Sequence, residues 1–509
     1  MLRRIFPLAA VVLMLCAVSV VHADSHFLQK AKLSAIGGSS GDNFGYSLAL
    51  SANGRTALVG AYEKGNQHGA AYVFTRAGSA WKEQHELASQ DGTEQEAFGW
   101  SVALSGDGGT ALIGAIGKHT KMGSAYVFTR TGSTWKKRDL APSDGAPGDN
   151  FAFTVAMSGD GRTALIGAPG ADAFRGRAYM FERIGSAWVQ KQELTNPDGL
   201  PYEGFASSVA LSADGRTALI GAYEKYGQTG SAYVFARSGT VWKKQQELTP
   251  PVNDEPEAFG WSMALNADGG TAIIGAIGKN AGAGAAYIFK CYGTVWKWQR
   301  EFTVSGKEIF GTSVALSGDG DTALIGANGK NERSGAAYVF TSKDDIWSQK
   351  QVLSASDAAA NNDFGVSVAL SAYGNTALVG SLANSAYMFA APLKQPNWND
   401  VAPYVKNLFG VMDDGSGIEM MEDGTILRIP SSGHPDPVFE TLGKNLPQLL
   451  HAIRLYQSAN MNSPLSGTIA SGAVENMLPA KDRGRILDMA IEALKGMLQS
   501  LEQNKVSGK

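Results

Sequence analysis

The chain has 509 residues, 62 of them glycine, and sets 44 Lys and Arg against 47 Asp and Glu for a net charge of −3. A balance this close to neutral gives no whole-molecule attraction for nucleic acid or anionic membrane, so neither is expected as a partner. Two cysteines, Cys16 and Cys291, exclude a disulfide-stapled scaffold.

Residues 1–23 read as a secretory signal. Arg3 and Arg4 precede an apolar stretch from Pro7 to Val21, and Val21-His22-Ala23 forms a small-x-small cleavage site. The mature protein is then expected to start near Asp24 and to be secreted or periplasmic. Cys16 falls in the removed segment, and the bulky Leu13-Met14-Leu15 before it argue against lipoprotein processing. Cys291 alone remains, so no intramolecular disulfide forms and packing must hold the fold. No other stretch is long and apolar enough to span a bilayer.

Residues 24–391 repeat one pattern seven times. The copies open at Phe44, Phe98, Phe151, Phe205, Phe259, Phe310 and Phe364, in steps of 51 to 54 residues. The first six hold four short apolar runs each, and the first two runs are joined by tight turns such as SGDGRT at 158–163. Four strands at this period predict an all-β fold, a seven-bladed β-propeller. The fourth run opens on an aromatic with an apolar residue six positions on, as in Trp81 and Leu87, Trp188 and Leu194, Trp242 and Leu248. Trp135 and Leu140 are one residue closer. The seventh copy reaches Pro392 without this run, whereas Phe27 and Leu33 stand six apart before the first copy. The N-terminal strand is therefore expected to complete the last blade and close the ring, leaving no open sheet edge inside it.

Phe-Gly recurs at 44–45, 98–99, 259–260, 310–311 and 364–365, with Phe-Ala at 151–152 and 205–206. Gly-Ala recurs at 60–61, 114–115, 167–168, 221–222, 275–276 and 326–327. Over residues 27–391 these copies resemble FG-GAP repeats, the blades of the propeller in integrin alpha subunits and in many bacterial secreted proteins. Integrin-like blades often carry a calcium loop of alternating oxygen ligands in the first hairpin. Here that hairpin is cut to turns such as SANGRT at 51–56, and the one weak candidate is Asp319 with Asp321. Two Asp on a tight turn are mostly turn formers, so no calcium and no other cofactor is expected.

The loops from second to third strand, and from fourth strand to the next blade, share one face, which is the expected binding face. Lys64, Lys118, Lys225, Lys279 and Lys330 recur there at one offset and are expected to form an arc, facing acidic loops such as ASQDGTEQEA at 88–97. Tyr46, Trp100, Phe153 and Trp261 follow the Phe-Gly position, and Tyr62 and Tyr223 follow Gly-Ala. The resemblance implies that aromatics there line the mouth of the propeller and meet the partner. The candidate contacts are therefore Trp100, Trp261, Tyr62 and Tyr223 with Lys64, Lys118, Lys225 and Lys279, weighed against inter-blade packing for the aromatics and a solvated rim for the lysines. Tyr62-Glu63-Lys64 recurs at 223–225 and FGWS at 98–101 recurs at 259–262, both 161 residues on, so blades duplicated in sets of three.

Residues 392–509 leave the period and read as a small helical or α+β domain. A helix is expected over 399–412, a hairpin over 417–430 around Glu422-Asp423-Gly424, a helix opened by Asp436-Pro437 and a longer one over 482–503. The apolar stripe of that last helix packs inside the domain or pairs with a second chain, making it an oligomerisation element. The histidines are scattered without HExxH spacing, and no phosphate loop is complete. The leading expectation is an adhesion-like interaction module for a protein or glycan, not an enzyme. A hydrolase working through Asp413, Asp414, Glu419 and His434, or a structural envelope protein, are the alternatives.

Overall fold

The computed structural model describes residues 26–89, 95–252, 255–391, 417–420 and 426–429. Seven four-stranded antiparallel sheets follow one another within a single compact unit, His22–Lys394. In the first six, the strands run in sequence order from the first strand to the fourth. The seventh is composite: Leu28–Leu33 pairs antiparallel with Ser385–Ala390, outside Thr376–Ser381 and Val368–Leu370. The expected seven-bladed propeller and its closure by the N-terminal strand are thus both present.

The extra residue in most fourth strands has a visible consequence. Where aromatic and apolar residue stand six apart, the ladder between third and fourth strand takes a β-bulge, as at Val73/Phe74 and Val234/Phe235. The closing strand shifts register in the same way, between Gln29 and Ala31. Trp135 to Leu140 is one residue shorter, and its ladder runs without a bulge.

Each core lies between two blades, because a sheet of alternating strands must bury a face against its neighbour. The seven Phe side chains are fully buried, each worth about 1.5–3 kcal/mol relative to exposure. Each packs against a third-strand Tyr, with centroids 5.3–5.6 Å apart. The cluster around Phe44 takes in Leu33, Leu378 and Met388, so the junction of last blade and first is packed like the others.

Three sets of hydrogen bonds link consecutive blades. A first-strand Ser donates to the carbonyl after the next Phe, from Ser47 to Gly99 through Ser367 to Gly45, at 2.5–2.8 Å. Thr154 stands at that register position in the third blade. At the opposite end, the first hairpin turns join in a closed belt through Ala52, Gly106, Gly159, Ala213, Ala267, Gly318 and Ala372. Every link is a backbone N–H to carbonyl bond of 2.8–3.2 Å, with Asp214 donating in place of Ala213. Only Gly and Ala occupy these positions, and a Cβ added at Gly106, Gly159 or Gly318 would stand 3.0–3.1 Å from the neighbouring turn. On the outer strands, Gln192 clasps the backbone of Trp242 and Gln246 that of Trp296. Gln351 makes the same two bonds to Phe27, at 2.7 and 2.9 Å, across the closure.

The loop from second to third strand contains a single left-handed turn in the first six blades. His119, Thr120 and Lys121 all have positive φ, and so do Asp172, Ala173 and Phe174. Such a conformation costs about 1–2 kcal/mol per residue. It aims loop carbonyls at the next blade: Asn150 and Phe151 donate their N–H groups to Lys121 and Met122. The last blade lacks this turn, and the Asn384 side chain accepts from the Phe44 N–H instead.

Beyond the ring, Gly417–Met420 pairs antiparallel with Ile426–Ile429, in agreement with the hairpin expected over 417–430. The signal segment, the three expected C-terminal helices and the alternative catalytic positions Asp413, Asp414 and His434 lie outside the described residues. For Glu419 only the strand is described.

Candidate functional site

The lysine arc is not an open one. Lys64, Lys118, Lys225 and Lys330 fold back over the tyrosine row of the third strands, Lys279 shares Glu257 with Tyr287, and Lys118 and Lys225 are buried. Lys225, 1% exposed, donates to Tyr233 Oη, Asp198 and Glu247. Lys64 meets Glu86 at 2.7 Å, Lys279 meets Glu257 at 2.6 Å, and Lys330 meets Glu308 at 2.8 Å. Lys118 donates to Tyr126 and lies 3.8 Å from Glu96. Tyr287 and Tyr387 in turn donate to Glu257 and Asp357, at 2.6 and 2.7 Å. Burial first, then the neighbouring carboxylate, raises both tyrosines, which keeps them protonated donors.

Two members of this set were not visible from the offset. The third blade has Ala171 where the lysines stand, and Arg177 bridges to Asp144 and Glu193 in their place. In the last blade Lys32 of the closing strand reaches Asp357 at 2.6 Å. Every blade therefore groups a cation with tyrosine and carboxylate; in five of them the cation is a lysine of the loop after the second strand, which pins that loop to its neighbours. The five recurring lysines are thus each engaged with carboxylate or tyrosine, and the candidate aromatics stand on the same face.

Those aromatics form a track across three blades. Tyr62 packs on Tyr46 at 4.6 Å and on Trp100 of the next blade at 4.8 Å, and Trp100 meets Phe153 of the third at 5.7 Å. All four are half-buried. Tyr223 and Trp261 repeat the Tyr62–Trp100 pair at 5.0 Å, with interplanar angles of 72° and 70° respectively. Ser207 replaces Tyr46 there, and Trp261 is 39% exposed. Inter-blade packing and partial exposure thus coexist in the same rings. Burial raises Tyr46 and Tyr223 to about 12, so their hydroxyls stay protonated.

Asp319 acts as a turn former. Its carboxylate accepts from Ser317 Oγ and from the Asp321 N–H at 3.0 Å. Asp107, Asp160 and Asp214 do the same in their own turns. Among the described residues, no group of three or more His, Cys, Asp or Glu is gathered as a metal site would require. Cys291 is a free, half-buried thiol.

Seven four-stranded blades, the last completed by the N-terminal strand, define a seven-bladed β-propeller. Within that class the chain belongs to the FG-GAP repeat family, whose model matches residues 27–74, 81–128, 135–181, 188–235, 242–289, 304–340 and 347–389. Five of the matches start in one blade's outer strand, the sixth starts just after one at Val304, and the first starts at Phe27, next to the strand that closes the ring; all end in the following blade's third strand. A search of curated proteins returned no relative.

Proposed function

We propose that this protein is a secreted or periplasmic interaction module that binds a protein or glycan through the loop face of its propeller and catalyses no reaction there. The observation that carries this reading is the aromatic track of Tyr62, Tyr46, Trp100 and Phe153, with Tyr223 and Trp261 as a second anchor. Large rings with polar tips, held rigid and half-exposed, are the anchors on which protein interfaces and sugar sites are built. The stapled loops support it further, since a preorganised surface loses little entropy on binding. An extracellular setting suits FG-GAP repeats, and no helix among the described residues is long and apolar enough to cross a membrane.

Binding is measured on a glycan array and by crosslinking pull-down from the envelope fraction, with Trp100→Ala and Trp261→Ala as variants. Each is expected to weaken the captured interaction by about 2 kcal/mol or more while melting stays cooperative. Interactions that survive in the double variant, with the fold intact, would remove the aromatic face from the account.

A further inference from the structure

The third and fourth blades carry a feature seen in no other blade among the described residues. Phe174 and Tyr202 stack on the loop face with centroids 5.1 Å apart and planes 20° from parallel, and they are 49% and 66% exposed. At the position of Phe174 the other left-handed turns carry Gln67, Lys121, Gln228, Gly282 and Arg333. At the position of Tyr202, three residues before the Phe, stand Gly41, Gly148 and Asn361 at positive φ. Both aromatics are themselves in the left-handed region, at φ 64° and 60°. Bulky residues are strained there, and glycine or asparagine would relieve the strain. The Tyr202 N–H donates to the Phe174 carbonyl at 2.8 Å, which fixes the pair.

Phe174 also lines an open groove of about 540 Å3, together with Asp144, Asp149, Asp172 and Arg177. An aromatic platform exposed at a cost to the backbone, beside carboxylates and a guanidinium, matches the chemistry of a sugar. The C–H face of a pyranose stacks on the ring, and its hydroxyls meet the polar wall. Three carboxylates against one guanidinium disfavour acidic sugars.

We propose that this groove is a glycan subsite for an uncharged oligosaccharide, with Phe174 as the stacking platform and Tyr202 as its support. The proposal rests on the loop face being a binding face, but at a place separate from the Trp100 track. The test is calorimetric titration of the protein with hexamers of glucose and of N-acetylglucosamine, and with a hexauronate for comparison. Phe174→Gln and Tyr202→Gly restore what other blades carry, so both are expected to fold, with Tyr202→Gly melting no lower than the parent. Saturable binding of a neutral hexamer is expected, weakened tenfold or more by either variant and retained in Trp100→Ala, with no uptake of the hexauronate. Absence of binding by both neutral hexamers, preference for the hexauronate, or full affinity in the Phe174→Gln/Tyr202→Gly double variant would overturn it. Loss in Trp100→Ala but not in that double variant would place binding on the aromatic track and leave the groove without a role.

Discussion

Replacing Gly326 with alanine is expected to cost about 3–5 kcal/mol, seen as an earlier denaturation midpoint and a Tm lower by several degrees. A Cβ built there lands on the Gly365 carbonyl oxygen and the Ser313 hydroxyl, well inside the 3.0 Å that real Cβ atoms keep. The obstacle is backbone and cannot swing aside. That same carbonyl accepts the Ser313 hydrogen bond at 2.8 Å, so the substitution pushes two blades apart and removes one of their links. Gly132→Ala is the control: at φ 62° in an outer hairpin, with nothing within 4 Å, it should cost only about 1 kcal/mol for its backbone conformation. Equal losses in the two variants would mean that the blades do not converge as described.

Lys225→Met is the second large effect, expected at about 2 kcal/mol. The methionine stem still covers Tyr233, but Asp198 and Glu247 lose the buried cation between them, and the charge left behind is compensated only in part by solvent, since Asp198 is exposed and Glu247 half-buried. Burial alone would lower the lysine pKa, yet its hydrogen bonds to Asp198, Glu247 and Tyr233 outweigh burial and raise it. Asp198 is held below its ordinary 3.8, first by the Lys225 hydrogen bond and then by Tyr233. A depressed carboxylate adds stability above its unfolded pKa and loses it as pH falls through the folded value. The contribution of Asp198 is therefore expected to be lost as pH falls below about 4, and to be smaller in Lys225→Met, because the largest cause of the depression goes with the lysine. An unchanged acid limb in urea titrations of the variant would contradict this linkage.

The architecture was legible because a repeat multiplies weak signals. One Phe-Gly or one six-residue spacing means little, but seven in phase fix blade count and strand count, and they identify Phe27–Leu33 as the missing strand. Even the bulges were present as spacing, since Trp135–Leu140 alone is short and its ladder alone among the complete fourth strands is regular. The loop face was legible only in part. Lysines at one offset looked like a surface arc, because a one-dimensional offset does not show that the third-strand tyrosines and the loop carboxylates draw them inward. Arg177 and Lys32 do the same work from other positions, with Ala171 in the lysine column as the one available hint. The left-handed turns gave only a partial local signal: Gly65, Asn66, Asn280 and Asn331 favour positive φ, but Thr120, Ala173 and Phe174 do not. The N–H groups of the next blade select that conformation, so it is a property of the assembled ring.

The belt, the serine links and the packed junction around Phe44 all require that the two ends of the ring pair. Leu28 lies opposite Ala390 in the closing ladder, at the separation of directly paired strands, which a disulfide can span. Cysteines placed at both positions in a Cys291→Ser background, under mild oxidation and read by gel mobility and thiol alkylation, test that pairing directly. The expected result is a near-complete intramolecular crosslink in the folded monomer. Two freely alkylated thiols, or crosslinks only between chains, would contradict a closed ring.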